Sequence, residues 1–326
     1  MEQFAPLQHT HPLTRLFLFL ALVFMSMAFG AMVGSLIAEK FFHYIFSGDS
    51  NEVLQQAAQS PNVLRSLKVM QVLSQLFGLL MPAVFFARLV NVDVGGELNL
   101  YNKALPLSYV LGGLIMLSLI PFINFSYWLN NMIDFPALLG QTGEFMKEQE
   151  EANGQLTSLF LAMPTIKSLL FMIVVIGIVP AIAEEFVFRG IFQKAFTQMV
   201  KNTHGGIWLA AIVFSASHFQ FYGFVPRMLM GAVLGYMLLY SRTLWVPIVG
   251  HAVNNTFGVL ARYFGWDKTD SIFNPETTGI EAHWYMAIVS VLIAGGFMFI
   301  FRKKEMENNG IPVIITPEPP AAKKLD

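Results

Sequence analysis

The chain has 326 residues, 55% of them hydrophobic and only 13% charged, with a net charge of −1 from 20 basic and 21 acidic side chains and a mean hydropathy of +0.56. A soluble domain is about a quarter charged, so this composition is that of a membrane protein, and the near-neutral balance gives no basis for a nucleic-acid partner. With no cysteine in the sequence, disulfides, thiolate metal sites and a cysteine nucleophile are excluded as well.

Apolar stretches follow one another at 15–38, 68–90, 105–128, 167–189, 206–224, 226–241, 244–262 and 283–301. A bilayer crossing takes roughly twenty residues. These runs are continuous rather than alternating, and lipid offers backbone groups no partners, so the predicted fold class is all-α: a polytopic membrane bundle of about eight transmembrane helices. The first run, LFLFLALVFMSMAFGAMVGSLIA, reads as a retained anchor because further spans follow it. Polar linkers lie at 39–67 and 129–166, and GEFMKEQEEANGQ in the second reads as a solvated helix, either a cap near a site or a plain connector. The tail from 302, which ends ITPEPPAAKKLD, lacks the composition to build a core and is expected to be disordered.

The expected organisation is N-terminal transmembrane helices with polar loops over 1–166, a core over 167–262, a last loop and helix over 263–301, and the tail over 302–326. Arg302, Lys303 and Lys304 place the C-terminus on the cytoplasmic face of a multi-pass protein of the cell (inner) membrane.

Three polar clusters interrupt the apolar second half. In PAIAEEFVFRG, Glu185 and Arg189 stand four apart on one helical face, acid before base, the favourable order for an ion pair. Glu184 is turned about 100° from Glu185, so one carboxylate is left over. An ionisable group at membrane depth is rare, costing about 2.5–3.5 kcal/mol to insert, and usually marks function. Pro180, four residues before Glu184, lacks an N–H and frees a carbonyl near that carboxylate. The second cluster, FSASHF, sets Phe214 and His218 four apart, and the third, HAVNNTF, does the same for His251 and Asn255. Of the seven histidines these two lie deepest in apolar segments, and the HTH at 9–11 reads as a solvated tail.

Each cluster alone has a packing interpretation, since polar side chains commonly join membrane helices. Together they supply the parts of a hydrolytic site. A poorly solvated carboxylate, Glu184, can take a proton from water and return it to a leaving amine. His218 can hold the same water, directly or through a divalent metal bound by Glu184, His218 and His251. His251 and Asn255 offer an imidazole N–H and an amide NH₂ for an oxyanion. Ser215 and Ser217 lack an acid to complete a triad.

E-E-x-x-x-R at Glu184, Glu185 and Arg189, F-x-x-x-H at Phe214 and His218 and H-x-x-x-N at His251 and Asn255 resemble, in order, the three motifs of the CAAX protease and bacteriocin-processing (CPBP, or Abi) intramembrane proteases. The resemblance covers roughly 167–262. It implies an eight-helix endopeptidase acting on membrane-associated peptides, with Glu184, His218, His251 and Asn255 catalytic and Glu185, Arg189 and Phe214 shaping the site. Zinc and a glutamate-only site are both compatible with these donors, and no H-E-x-x-H decides between them. Two other classes stay open: a membrane scaffold or immunity protein that works by binding, and a proton-coupled transporter, against which the lack of an internal repeat argues.

Overall fold

A computed structural model describes residues 5–46, 50–268 and 284–312. Its long helices are α1 (Pro12–Phe42), α2 (Ser50–Gln59), α3 (Pro61–Val90), α4 (Pro106–Asn131), α5 (Gln141–Phe160), α6 (Ile166–Val200), α7 (Thr203–Ala216), α8 (Phe224–Ser241), α9 (Trp245–Phe264) and α10 (Trp284–Asn309). No strand occurs among the described residues, so the chain is an all-α bundle. Large apolar side chains point outward, with Phe24 and Leu292 each 70% exposed, which is the surface a protein presents to lipid.

Each of the eight predicted spans overlaps a helix, but six helices of the described residues are both long and apolar enough to cross a membrane: α1, α3, α4, α6, α8 and α10. Twenty-residue α9 carries His251, Asn254, Asn255 and Thr256 along its length, which lowers its hydropathy. α7 has 14 residues, about 21 Å, and so falls short of the roughly 30 Å hydrocarbon layer. It was expected to run to 224. Instead it stops at Ala216, where the free carbonyl of Phe214 accepts from both Ser217 Oγ (2.8 Å) and His218 Nδ1 (2.8 Å). Phe219 then turns the chain through a left-handed conformation, and Ser215 Oγ donates to Phe224 O (2.6 Å) to pin the return into α8.

Helix starts follow local chemistry. Pro12, Pro61 and Pro106 occupy first turns, where a missing N–H is harmless, and Thr165 with Ser168 forms a reciprocal cap on α6. Two helices continue through an internal proline by opening a wide π turn just upstream: Leu76–Leu80 before Pro82 in α3 and Ile173–Ile178 before Pro180 in α6. A third π turn, Phe188–Phe192, contains Arg189.

The main core joins α1, α3 and α6 to α7–α9 through Phe19, Phe86, Phe188, Phe192 and Phe214. A second core packs α4 against α8, α9 and α10. The expected tail begins later than 302, because α10 runs on to Asn309; residues 313–326 lie outside the described residues. Its extension is held by Glu305, which is fully buried and accepts from the Leu105 N–H (3.1 Å), Ser108 Oγ and Asn309 Nδ2 (2.7 Å). A carboxylate at the N-terminus of α4 also complements that helix's dipole.

Candidate active site

α6, α7 and α9 bring Glu184, Glu185, Arg189, Phe214, His218 and His251 into one cluster. Arg189, 1% exposed, donates through Nη1 to Glu185 Oε1 (2.7 Å) and through Nη2 to the Gly231 carbonyl (2.9 Å), and its guanidinium lies 4.8 Å from the Phe214 ring centre. One turn on, Gln193 Nε2 donates to the Gly235 carbonyl (3.3 Å), so two α6 side chains bond two glycine carbonyls of α8. A side chain on Gly231 would press on Ala211 and Phe214 at about 3.1–3.2 Å, so the glycine permits that close approach.

Glu185 Oε1 accepts a second hydrogen bond, from His251 Nδ1 (2.8 Å). The carboxylate therefore fixes both the orientation and the proton position of the imidazole, leaving Nε2 bare. His218 is fixed in the same way, because the Phe214 carbonyl can only accept and so holds the proton on Nδ1 (2.8 Å). Both bare nitrogens face one atom: Glu184 Oε2 lies 3.8 Å from His251 Nε2 and 4.0 Å from His218 Nε2. Glu184 is buried yet accepts no hydrogen bond from the described residues. The sequence pairing of Glu185 with Arg189, and the separate course of Glu184, appear in the structure as that division.

Asn255 stands on the same wall, but one of its N–H groups is engaged: Nδ2 donates to the Ile176 carbonyl (3.2 Å). That is the carbonyl Pro180 would have served had it been another residue, so the proline's missing donor is replaced from α9. Gly177 makes the approach possible; a Cβ there would sit 2.6 Å from Thr256 Oγ1. The sequence expectation that His251 donates an N–H to an oxyanion meets a different geometry, since its proton-bearing nitrogen is turned to Glu185. Asn255 retains its second amide hydrogen.

The cluster opens on a cavity of about 510 Å³, within the range of about 300–1,000 Å³ of ligand sites. Glu184, Phe214, His218, His251 and Asn255 line it, joined by residues the motifs did not mark: Arg227 and Met230 of α8, Asn254 of α9, Gln71 and Gln75 of α3, and Leu156, Thr157 and Phe160 of α5. The polar segment 129–166 thus places the last turns of its helix against the site. Higher on α5, burial pushes the Glu150 carboxyl above its ordinary range, opposed by the charge of Arg227 and a backbone bond at Tyr222. Arg227 itself bonds Gln220 through Nη2 (2.6 Å).

Glu184, His218 and His251 are the donors a zinc ion would need. Donors on a tetrahedral zinc lie roughly 3.3–3.4 Å apart, given bonds of about 2.0–2.1 Å. The observed 3.8 and 4.0 Å separations are wider, and among the described residues no three His, Asp or Glu side chains are arranged to hold a metal. A water at about 2.8 Å from each atom bridges such gaps at an angle near 90°, so the spacing fits a hydrogen-bonded water better than a metal.

Fold and site together define a polytopic membrane helical bundle with a buried carboxylate flanked by two imidazoles. Residues 166–257 match the family model of the Rce1-like type II CAAX prenyl endopeptidases. In Bacillus subtilis it is similar to the uncharacterized protein YpbD, 31% identical over 85 residues that cover 25% of this chain and 40% of that protein. It is also similar to YdiL, described as a candidate membrane peptidase, 28% identical over 98 residues that cover 30% of this chain and 40% of YdiL. The match thus spans less than half the length of either curated relative. No solved structure matches the chain.

Proposed function

We propose that this protein is an intramembrane endopeptidase that hydrolyses peptide bonds of membrane-associated substrates with a water activated by Glu184. The observation that carries this reading is the convergence of two bare imidazole nitrogens on a buried carboxylate oxygen that has no hydrogen bond of its own. A water seated there donates one hydrogen to Glu184 Oε2 and the other to an Nε2. As its oxygen attacks the scissile carbonyl carbon, its proton passes to Glu184, and Asn255's second amide hydrogen faces the developing oxyanion. Glu184 then gives the proton to the leaving nitrogen as the C–N bond breaks, leaving a carboxyl and an amine. Glu185 and Arg189 serve by fixing His251, and Phe214 packs against both imidazoles at 5.1 and 5.9 Å between ring centres.

The test is cleavage of a library of membrane-tethered peptides by detergent-purified protein, wild type against Glu184→Gln, with and without a zinc chelator. Cleavage by the wild type that survives chelation and is lost in the variant supports the reading. Loss on chelation would show that the imidazoles close on a metal ion. Equal cleavage by both proteins would remove Glu184 from the mechanism, and cleavage by neither would favour a protein that works by binding.

A further inference from the structure

The family-matched segment begins at 166, yet part of the cavity wall comes from α3, well before it. Gln71 and Gln75 stand four apart there, on one face of the helix and on the cavity lining. Gln75 Oε1 is buried without a hydrogen-bond partner, and neither side-chain amide bonds another described residue. The π turn Leu76–Leu80 follows immediately and packs against Val179–Val187, the stretch that carries Glu184.

A buried acceptor is rarely left unpaired unless something outside the chain fills it. The chemistry of the cavity says what. Its polar lining away from Glu184 and the imidazoles is mostly neutral amide, Gln71 and Gln75 of α3 and Asn254 and Asn255 of α9, with Arg227 the single guanidinium. A peptide bond becomes open to attack only where its helix is unwound, and an unwound segment in a poorly hydrated pocket carries N–H and C=O groups that need partners. Neutral side-chain amides supply both kinds without selecting a charge.

We propose that Gln75, supported by Gln71, binds the main chain of an unwound substrate segment by accepting one of its N–H groups opposite Glu184. This rests on the endopeptidase reading and assigns substrate binding to the half of the chain outside the matched domain. Gln75 acts through substrate affinity, and Glu184 through the chemical step.

The experiment is an N-methyl scan. A short lipid-anchored peptide, the best-cleaved or best-bound of the library, is made with each backbone N–H in turn replaced by N–CH₃. Two readouts are taken: steady-state cleavage by wild type and Gln75→Met, and fluorescence binding to Glu184→Gln with and without Gln75→Met. One methylation position is expected to weaken binding to Glu184→Gln and raise the wild-type KM about tenfold, the effect of one neutral hydrogen bond, while having no effect once Gln75 is methionine. Gln75→Asn, which keeps the amide but withdraws it, gives an intermediate loss and serves if the methionine variant does not fold.

Additive losses at every position, or a Gln75 effect confined to kcat, overturn the proposal while leaving the endopeptidase standing. The one-position signature in binding without any cleavage keeps the proposal and sinks the endopeptidase. No saturable binding of any peptide to Glu184→Gln, together with no cleavage by the wild type, overturns both.

Discussion

Two regions of this molecule bury a carboxylate in a helical bundle, and they treat it in opposite ways. At the α4–α10 contact, Glu305 has three donors, Leu105 N–H, Ser108 Oγ and Asn309 Nδ2, divided over both oxygens. At the α6–α7–α9 contact, Glu184 has no donor, only two imidazole nitrogens at 3.8 and 4.0 Å. A satisfied buried carboxylate stabilises a fold, because its desolvation is offset by charge-assisted hydrogen bonds. An unsatisfied one lowers stability and is retained where the group has work to do on something that enters. Glu185, the immediate neighbour of Glu184, stands between the two kinds: its Oε1 accepts from Arg189 and His251, while its Oε2 is buried without a hydrogen-bond partner among the described residues.

Substitutions can break this contrast at several strengths. Arg189→Leu strands the Glu185 charge in a fully buried position, and a loss of about 3–5 kcal/mol is expected. Equilibrium unfolding in mixed detergent micelles measures it, and a change below about 1 kcal/mol would mean that the pair does not hold α6. Glu305→Ala orphans the Leu105 N–H and Ser108 hydroxyl at the start of α4. It is expected to lose about 1–3 kcal/mol while cleavage per folded molecule stays at the wild-type rate. A fall in specific activity would show that the α4–α10 anchor reaches the site.

The smallest effect separates two donors that share the Phe214 carbonyl. Ser217→Ala is expected to lose about 0.5 kcal/mol and keep cleavage, since Ser217 is exposed and His218 Nδ1 still donates. Cleavage assays on this variant beside His218→Ala decide whether the capping serine is separable from the imidazole it flanks.

Much of this was legible in the sequence, for physical reasons. The helical class follows from composition, because lipid permits so few backbone solutions. The pairing of Glu185 with Arg189 follows from spacing on one helix, and the partner for Ile176 was foreshadowed by Pro180, whose missing N–H is a local fact. What escaped depends on distant contacts. Ser108 and Glu305 lie 197 positions apart, so nothing near either signals the buried anchor that extends α10 into the expected tail. The early stop of α7 is set by the Ser217 and His218 side chains bonding one carbonyl, which an apolar window cannot register. Gln71 and Gln75 carry no signal of their own within the apolar stretch 68–90, since only the packing of α3 on α6 brings them to the cavity. The rotation of the His251 ring towards Glu185 is likewise a contact between helices, and it commits the proton-bearing nitrogen to that carboxylate.

The central claim is that Glu184 is kept unsatisfied for chemistry and Glu305 satisfied for structure. It is tested most directly by measuring peptide cleavage and unfolding free energy on the same preparations of Glu184→Gln and Glu305→Gln. The account predicts a crossed result: Glu184→Gln loses cleavage by about a thousandfold with stability unchanged or raised, and Glu305→Gln loses stability with cleavage intact. Wild-type cleavage by Glu184→Gln, or a parallel loss of stability and cleavage in both variants, would contradict it.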